Sequence, residues 1–455
     1  MQALDDAAAH FSYICPIGYS NSSDCGYCRR SRSGQSSKRY SYYAVATSLT
    51  PDFYQALIDR CWRRSGTLLY RPNQRNSCCP HYTLRLDSTA FKATKDQRQA
   101  VNRFNKHVIG ESYAREAARL HPPTREQVRK RNNEFDLAER IHEPEAPMLK
   151  STPLPAHQFT VTLEPNTFTE EKYDVFENYQ RIVHKEAPEK ISRGGFQRFL
   201  CSSPLKHETV TGPDGKERQL GSFHQCYRLD GKLVAIGVLD LLPHCVSAVY
   251  FLYHESIHSF SPGKLGALRE IALALDGGYR WWYSGFYIHN CDKMKYKIDF
   301  SPQYVLDPEA LKWDLLDKEA LRLFDQKPYV SLSRERQGIS GELVKESASE
   351  IKAGRQDSAS DADDLDDGED ESFLFHSGMP GIPSLEQMEE VDMDGLLLRS
   401  DYADSFFSAS DLVVWEAERI SQYGTLKSRI AEMVAAIGPD LMGAICVDFR
   451  KRSRS

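Results

Sequence analysis

Apolar and aromatic runs predict short strands between residues 11 and 90, as in Tyr42-Tyr43-Ala44-Val45-Ala46 and, with polar residues alternating, Tyr82-Thr83-Leu84-Arg85-Leu86. Between them, Phe53, Leu57, Cys61 and Trp62 share one face of a helix predicted over 51–64. Asp96 to Leu120 then predicts one long helix. Val101, Phe104, Val108 and Ile109 recur near the period of about 3.6 residues, while Arg98, Arg103, Lys106, Arg115 and Arg119 decorate the other face. Pro122-Pro123 ends it.

Thr124 to Pro155 is charged and broken by prolines, which predicts a mobile linker or exposed insertion. A second folded region opens with a strand at Phe159-Thr160-Val161-Thr162-Leu163 and a helix from Thr169 to Glu186. The strongest strand pattern lies between Gly221 and Tyr253, where Asp230-Gly231 is a hairpin turn pair and Pro243-His244 a second break. Three antiparallel strands follow from this pattern. The turn Ser261-Pro262-Gly263-Lys264 leads into an apolar helix through Leu265, Leu268, Ile271 and Leu275, and Trp281 to Ile288 supplies a further strand. This order resembles the core of GNAT acyltransferases, an analogy of fold and not of activity. The expected class is α+β or α/β, with a GNAT-like acyltransferase domain behind a small cysteine-rich metal-binding domain. Residues 333–380 hold the acidic run Asp357 to Asp367 and few large apolar side chains, so disorder is expected. Apolar periodicity returns from Ala409 to Cys446, predicting a tail that packs on the second domain. The resulting division is 1–120 (N-terminal, cysteine-rich), 121–155 (linker or insertion), 156–332 (GNAT-like), 333–380 (acidic loop) and 381–455 (C-terminal segment).

Length changes little here: 455 residues exceed what one core organises, and two or more domains agree with the pattern. Charge changes more. The net charge is -6, but residues 1–150 carry 24 Lys and Arg against 15 Asp and Glu, and the remainder 34 against 49. The basic end is the expected nucleic-acid face. Eleven cysteines, an odd number, with no basic leader or apolar run in MQALDDAAAHFSYICP, lead us to expect a reducing compartment, cytosolic or also nuclear. The most apolar stretch, Leu233 to Tyr253, is interrupted by Asp240, Pro243 and His244, so no membrane span is expected.

Four of the cysteines stand in pairs, Cys25-Gly26-Tyr27-Cys28 and Cys78-Cys79 before Pro80. Two such pairs complete a four-sulfur shell for zinc or an iron-sulfur cluster, and spacing alone does not separate the two. Arg29, Arg30, Arg32, Lys38 and Arg39 alternate with Tyr40, Tyr42 and Tyr43 beside them, a mixture suited to phosphate contact and base stacking.

Several runs, taken in order, resemble the arginyl-tRNA-protein transferases of the eukaryotic, fungal type, enzymes that attach arginine to acidic protein N termini in the N-degron pathway. They are Cys25 to Cys28 with Cys61-Trp62-Arg63-Arg64-Ser65-Gly66, Tyr70-Arg71-Pro72 and Cys78 to Leu86; Gly195 to Leu200 with Ser203-Pro204-Leu205; Phe223-His224-Gln225; Gly237 to Pro243; Ala267 to Ala272; and Gly285 to Lys297 closing on Ser301-Pro302. Two departures stand out: Leu252-Tyr253-His254-Glu255 replaces an aromatic pair followed by Asp-Pro, and Cys61 occupies a position where the family implies glycine. The resemblance covers roughly residues 11–110 and 157–310.

What the resemblance implies is transfer of arginine from the 3' ester of Arg-tRNA to the α-amine of proteins beginning with Asp, Glu or oxidised cysteine, marking them for ubiquitin-dependent degradation, with ubiquitin-ligase components as further partners. Ester aminolysis runs downhill, so neither ATP nor acetyl-CoA is required. It also implies a [4Fe-4S] cluster at Cys25, Cys28, Cys78 and Cys79, with zinc as a substitute. For the acceptor carboxylate we expect Arg198, Lys293, Lys295 and Lys297. His224 and Gln225 would orient the amine or donate to the oxyanion, with a satisfied core histidine as the alternative. Asp240, in an apolar strand, needs a partner, and is read either as a guanidinium or proton-transfer group or as a structural hydrogen-bond acceptor. Arg29, Arg30, Arg63, Arg64, Arg98, Arg103 and Lys264 are the expected contacts to tRNA phosphates. Two other classes compete: a metal-containing tRNA-binding regulatory module without transferase activity, and an acyl-CoA-dependent GNAT acetyltransferase.

Overall fold

The structure, a computed structural model, describes residues 10–22, 25–28, 38–150, 153–212, 215–338, 373–401 and 405–450. Most of the acidic loop, residues 339–372, lies outside the described residues. The fold is mixed α and β, built on two sheets.

The first sheet contains β1 (Ser12–Ser22), β2 (Arg39–Ser48), β3 (Arg63–Ser65), β4 (Leu68–Pro72) and, from the other end of the chain, β15 (Leu397–Arg399), β16 (Phe407–Ser408) and β17 (Ile445–Asp448). Its order is β16-β15-β17-β1-β2-β4-β3, with β17 parallel to β1 through Ser12 opposite Ile445. The C-terminal segment therefore completes the sheet on which the chain begins, and its strands do not pair with those of the second sheet. The helices α1 (Pro51–Ile58) and α9 (Leu426–Ile437) belong to this core, where Phe53, Leu57, Trp62, Ile430, Met433 and Val434 are buried together. The indole of Trp62 donates to the Ala436 carbonyl at 3.0 Å, pinning the two ends of the chain. The helix predicted to reach Arg64 stops at Ile58 and turns at Cys61, whose φ is +66°. That left-handed turn is the reason for glycine here; cysteine holds it against a backbone cost of about 1 kcal/mol.

The second sheet has the order β14-β13-β5-β11-β10-β9-β8-β6, with two short strands paired off this path. Its members are β5 (Tyr82–Asp87), β6 (Phe159–Pro165), β8 (Glu217–Leu229), β9 (Lys232–Leu242), β10 (Cys245–Tyr253), β11 (Trp281–Tyr283), β13 (Gln303–Leu306) and β14 (Trp313–Leu315); β7 (Glu208–Thr211) pairs with β8 and β12 (Phe286–Tyr287) with β5. Strand β5, from the expected N-terminal unit, lies inside this sheet, so that unit contributes to both sheets. The meander β8-β9-β10 forms as predicted, turning at Asp230 and Gly231 with φ of +53° and +79°.

Both faces of this sheet are covered, which explains why β9 is apolar almost throughout. On one side α2 (Lys95–Ile109), α5 (Leu137–His142) and α7 (Pro262–Asp276) bury Val101, Phe104, Ile141, Leu268 and Ile271. On the other, α6 (Glu170–Tyr179) buries Tyr173, Val175 and Phe176 against Ile236 and Val238. The long helix predicted from Asp96 to Leu120 is two helices, α2 and α3 (Glu111–Leu120), parted at Gly110 with φ of +79°. A Cβ there would lie 2.6 Å from that of Ala156, so the returning chain requires the gap. The expected linker is also more ordered than its composition suggests. It holds α4 (Arg125–Asn133), wholly exposed, and α5, which packs on α7. Among the described residues, no helix is long and apolar enough to cross a membrane.

Candidate active site and metal centre

The cysteine pairs meet. Cys25 and Cys28 follow β1, Cys78 and Cys79 precede β5, and the four Sγ atoms lie within 4.8 Å of one another, Cys28 and Cys78 at 3.6 Å. Cys25 and Cys79 are buried, and Ile288, Cys291 and Met294 close the group from behind. Burial and the neighbouring thiols push the Cys78 thiol up to about 11, because four thiolates without a cation repel one another. A metal ion would supply that cation and release the protons. A single tetrahedral ion with metal–sulfur bonds of about 2.3 Å places its sulfurs about 3.8 Å apart, and the observed spacing fits it. Four cysteine thiolates are equally the donor set of an iron-sulfur cluster. His81 stays outside the thiol group, edge-on to Tyr27 and Phe286.

The loop carrying Cys25 and Cys28 also forms one wall of the main cleft, about 1630 Å³, through Gly26, Tyr27 and Cys28. The other walls are the start of α7, strand β10, Tyr179 at the end of α6, and α8 (Asp292–Lys295). Glu270 and Lys297 lie at its floor, both buried. Glu270 comes from α7, and its Oε2 accepts the indole N–H of Trp282 at 2.8 Å. Burial raises its carboxyl to about 7, against the opposing pull of Trp282 and Lys297. Lys297 follows α8 and donates from Nζ to the carbonyls of Ser284 (2.6 Å) and Phe286 (2.7 Å). Those carbonyls are available because the strand predicted over 281–288 breaks between β11 and β12. Burial, followed by the Arg63 charge, lowers the Lys297 ammonium to about 7, with Glu270 opposing the shift. A carboxyl and an amine displaced toward neutrality from opposite sides suit acid–base work near pH 7.

Of the expected catalytic trio, Asp240 and His224 lie away from the cleft and Gln225 sits next to its floor. Asp240 is fully buried and accepts a bidentate bond from Arg64, 2.6 Å from Nη2 and 2.8 Å from Nε, and a third from the Ser222 hydroxyl at 2.6 Å. The partner it needed is thus the protein's own guanidinium, and the structural alternative describes it. His224 donates from Nε2 to the Leu200 carbonyl at 3.1 Å, and burial holds its imidazole down to about 4, so the ring is neutral. Neither residue lines the cleft. Gln225 accepts the Tyr227 hydroxyl at 2.5 Å and sits beside Glu270 across Gly237, where an added Cβ would lie 3.6 Å from Glu270 Oε1 and 3.7 Å from the Gln225 Cβ.

The expected cations divide in the same way. Lys293 lines the cleft and is exposed; Lys295 is exposed beside Asp292, and Arg198 is exposed beyond the cleft-lining residues. Lys297 lines the cleft but is turned inward onto carbonyls, so its role as a free cation for acceptor carboxylates needs correction. Arg63 and Arg64, expected on the tRNA face, are buried: Arg63 donates to the Trp62 carbonyl at 2.6 Å and lies over the Phe286 ring, and Arg64 is committed to Asp240. Arg98 and Arg103 are exposed on α2, and Arg103 reaches Ser261 at 3.1 Å. Lys264, at the cleft rim, pairs with Asp96. Arg29 and Arg30 lie outside the described residues. Sequence reasoning put neither Glu270 nor Trp282 in the site; a carboxylate in the apolar face of α7 was the available signal.

Comparison with known proteins gives one family in two separate stretches of the chain. The family described as arginine-tRNA-protein transferase, N terminus, matches residues 23–99, and its C-terminus counterpart matches residues 171–307. The chain is 26% identical to arginyl-tRNA–protein transferase 2 of Arabidopsis thaliana, covering 77% of this chain and 82% of the relative. It is 31% identical to arginyl-tRNA–protein transferase 1 of Saccharomyces cerevisiae over 56% of this chain and 48% of the relative. An aspartate/glutamate leucyltransferase of Pseudomonas fluorescens is 26% identical over 58% of this chain and 83% of its own. The N-terminal match holds the four cysteines and the C-terminal match holds Glu270 and Lys297, in family order, and the chain belongs to the arginine-tRNA-protein transferases.

Proposed function

We propose that this protein transfers the arginyl group of Arg-tRNA to the N-terminal α-amine of acceptor proteins, with the chemistry in the cleft above Glu270 and Lys297. The observation that carries the site assignment is the presence of those two buried titratable groups in the lining of one cleft. The amine nitrogen attacks the ester carbonyl carbon, the carbon–O3' bond breaks, the amine loses its surplus proton and O3' gains one. The Lys297 ammonium, fixed by two carbonyls with one N–H left over, donates to the oxyanion and then to O3'; its neutral form takes the proton of the amine. No nucleotide hydrolysis is needed. The crossover β10-α7-β11, with β11 parallel to β10, supports the reading of a GNAT-like acyltransferase core.

Acceptors beginning with Asp, Glu or oxidised cysteine, and their delivery to ubiquitin-dependent degradation, extend the same proposal; the leucyltransferase relative is itself named for aspartate and glutamate. Lys293 at the rim is the cation best placed for the acceptor's acidic side chain, and Arg98 and Arg103 for tRNA phosphates. The thiol group holds either zinc or an iron-sulfur cluster and organises the wall at Cys28. Incubation with Arg-tRNA and peptides beginning with Asp or Ala tests the proposal: arginylation of the Asp peptide is expected. Binding of tRNA with no transfer to either peptide would reduce the protein to a tRNA-binding module, and transfer from acetyl-CoA alone would replace the assignment.

A further inference from the structure

Glu270 has an open side. The buried carboxylate of Asp240 is closed by Arg64 and the half-buried one of Glu145 by Arg269. Glu432 is buried too, but lines no part of the cleft. Glu270 receives a neutral indole N–H at Oε2, and no ion pair to it forms among the described residues. Lys297 does not close it, because Nζ is turned to the carbonyls of Ser284 and Phe286. It lines the cleft, with Gln225 beside it across Gly237, and the walls of that cleft are aromatic. Tyr179 stands 6.2 Å from Tyr250 and 5.0 Å from Tyr253 between ring centroids, and Tyr296, half exposed, lies within electrostatic reach of both Glu270 and Tyr179.

A buried carboxylate without a cation, at the end of a tyrosine-walled cleft, is built to receive an organic cation. We propose that Glu270, walled by Tyr179, Tyr250 and Tyr296, receives the guanidinium of the arginyl group and so selects arginine from among aminoacyl-tRNAs. This rests on the arginyl-transfer reading. The rival cation is the acceptor's α-ammonium. The guanidinium suits the site better, because a planar cation uses the aromatic faces and donates to both carboxylate oxygens at once. It also fits a family whose relatives bear the names of arginyl and leucyl transferases.

The test uses the full chain and the near-isosteric Glu270→Gln, with Arg-tRNA and Leu-tRNA as donors and a saturating Asp peptide. Wild-type protein that transfers no arginine sinks the underlying reading, whatever the variant does. If wild type transfers arginine, Glu270→Gln should raise KM for Arg-tRNA about tenfold or more and lower the arginyl-over-leucyl preference in proportion, with kcat changed less. L-Argininamide should inhibit wild type better than L-leucinamide, and Glu270→Gln should equalise them; both carry the α-ammonium and one carries the guanidinium. Unchanged donor preference in Glu270→Gln overturns the inference, as does a loss confined to kcat, which would make the carboxylate the base for the amine. Should that variant not fold, the exposed Tyr296→Leu provides the same readouts with a smaller expected change, and full retention of donor preference there overturns the inference equally.

Discussion

Asp240 and Glu270 are both buried carboxylates on apolar elements, and the molecule treats them in opposite ways. Asp240, on β9, is sealed by a bidentate Arg64 and a serine hydroxyl. Arg64 comes from β3 of the first sheet, so the pair fastens one sheet to the other. Glu270, one helix away, keeps a single neutral donor and faces a cleft. A paired buried charge holds structure together; an unpaired one costs stability unless a ligand completes it.

The largest expected effect breaks the sealed pair. Arg64→Met should leave Asp240 charged and without its partner, costing about 3–5 kcal/mol of stability, read from the denaturant midpoint. Glu270→Gln removes a buried charge, so its midpoint should hold or rise. The contrast fails if the two variants lose comparable stability.

Next comes the cleft floor itself. Lys297→Met should lower transfer about 100-fold or more, the scale of a lost proton-transfer or oxyanion contact, with stability held or raised because burial disfavours the ammonium. Loss of transfer that merely tracks loss of folded protein would place Lys297 with Asp240, as a structural group. Cys78→Ser should act more weakly on transfer. Metal content by elemental analysis should fall first, and transfer by freshly prepared protein should fall less than in Lys297→Met. Unchanged metal content would remove Cys78 from the ligand set, and a larger loss of transfer than at Lys297 would move the metal centre into the chemistry.

The two sites were unequally legible in sequence. The thiol group could be read because its pairs are close in the chain, and closeness in sequence limits where the side chains can go. The meander β8-β10 was legible for the same reason, its turn being two adjacent residues. Glu270 was not, because its meaning depends on Trp282 folding onto it from β11 and on a cleft assembled from several other elements. Arg63 and Arg64 misled: a charged pair reads as a solvated face, and only the nonlocal approach of Asp240 makes Arg64 a core residue. The parallel pairing of β17 with β1 joins the two ends of the chain, and no local pattern announces it.

A third arrangement lies between the sealed and the open carboxylate, and it gives the mildest test. His142 of α5 bridges Glu145 (2.7 Å, Nδ1) and Asp276 (2.8 Å, Nε2), the latter at the end of the helix that carries Glu270. Those carboxylates, Asp276 first, raise the imidazole to about 9. The pKa is higher folded than the roughly 6.5 of an unfolded histidine, so the contribution is fully present below about 6.5, shrinks above it, and is lost as pH passes about 9. Arg269 still holds Glu145 and the Ile141 carbonyl above that pH, so α5 should loosen and not detach. Hydrogen exchange of residues 137–142, corrected for intrinsic rate, should therefore quicken modestly between pH 7 and pH 10, and His142→Gln should flatten that trend. If protection over 137–142 is the same at both pH values in wild type, the bridge contributes nothing, and Glu145 and Asp276 are satisfied without the histidine's charge.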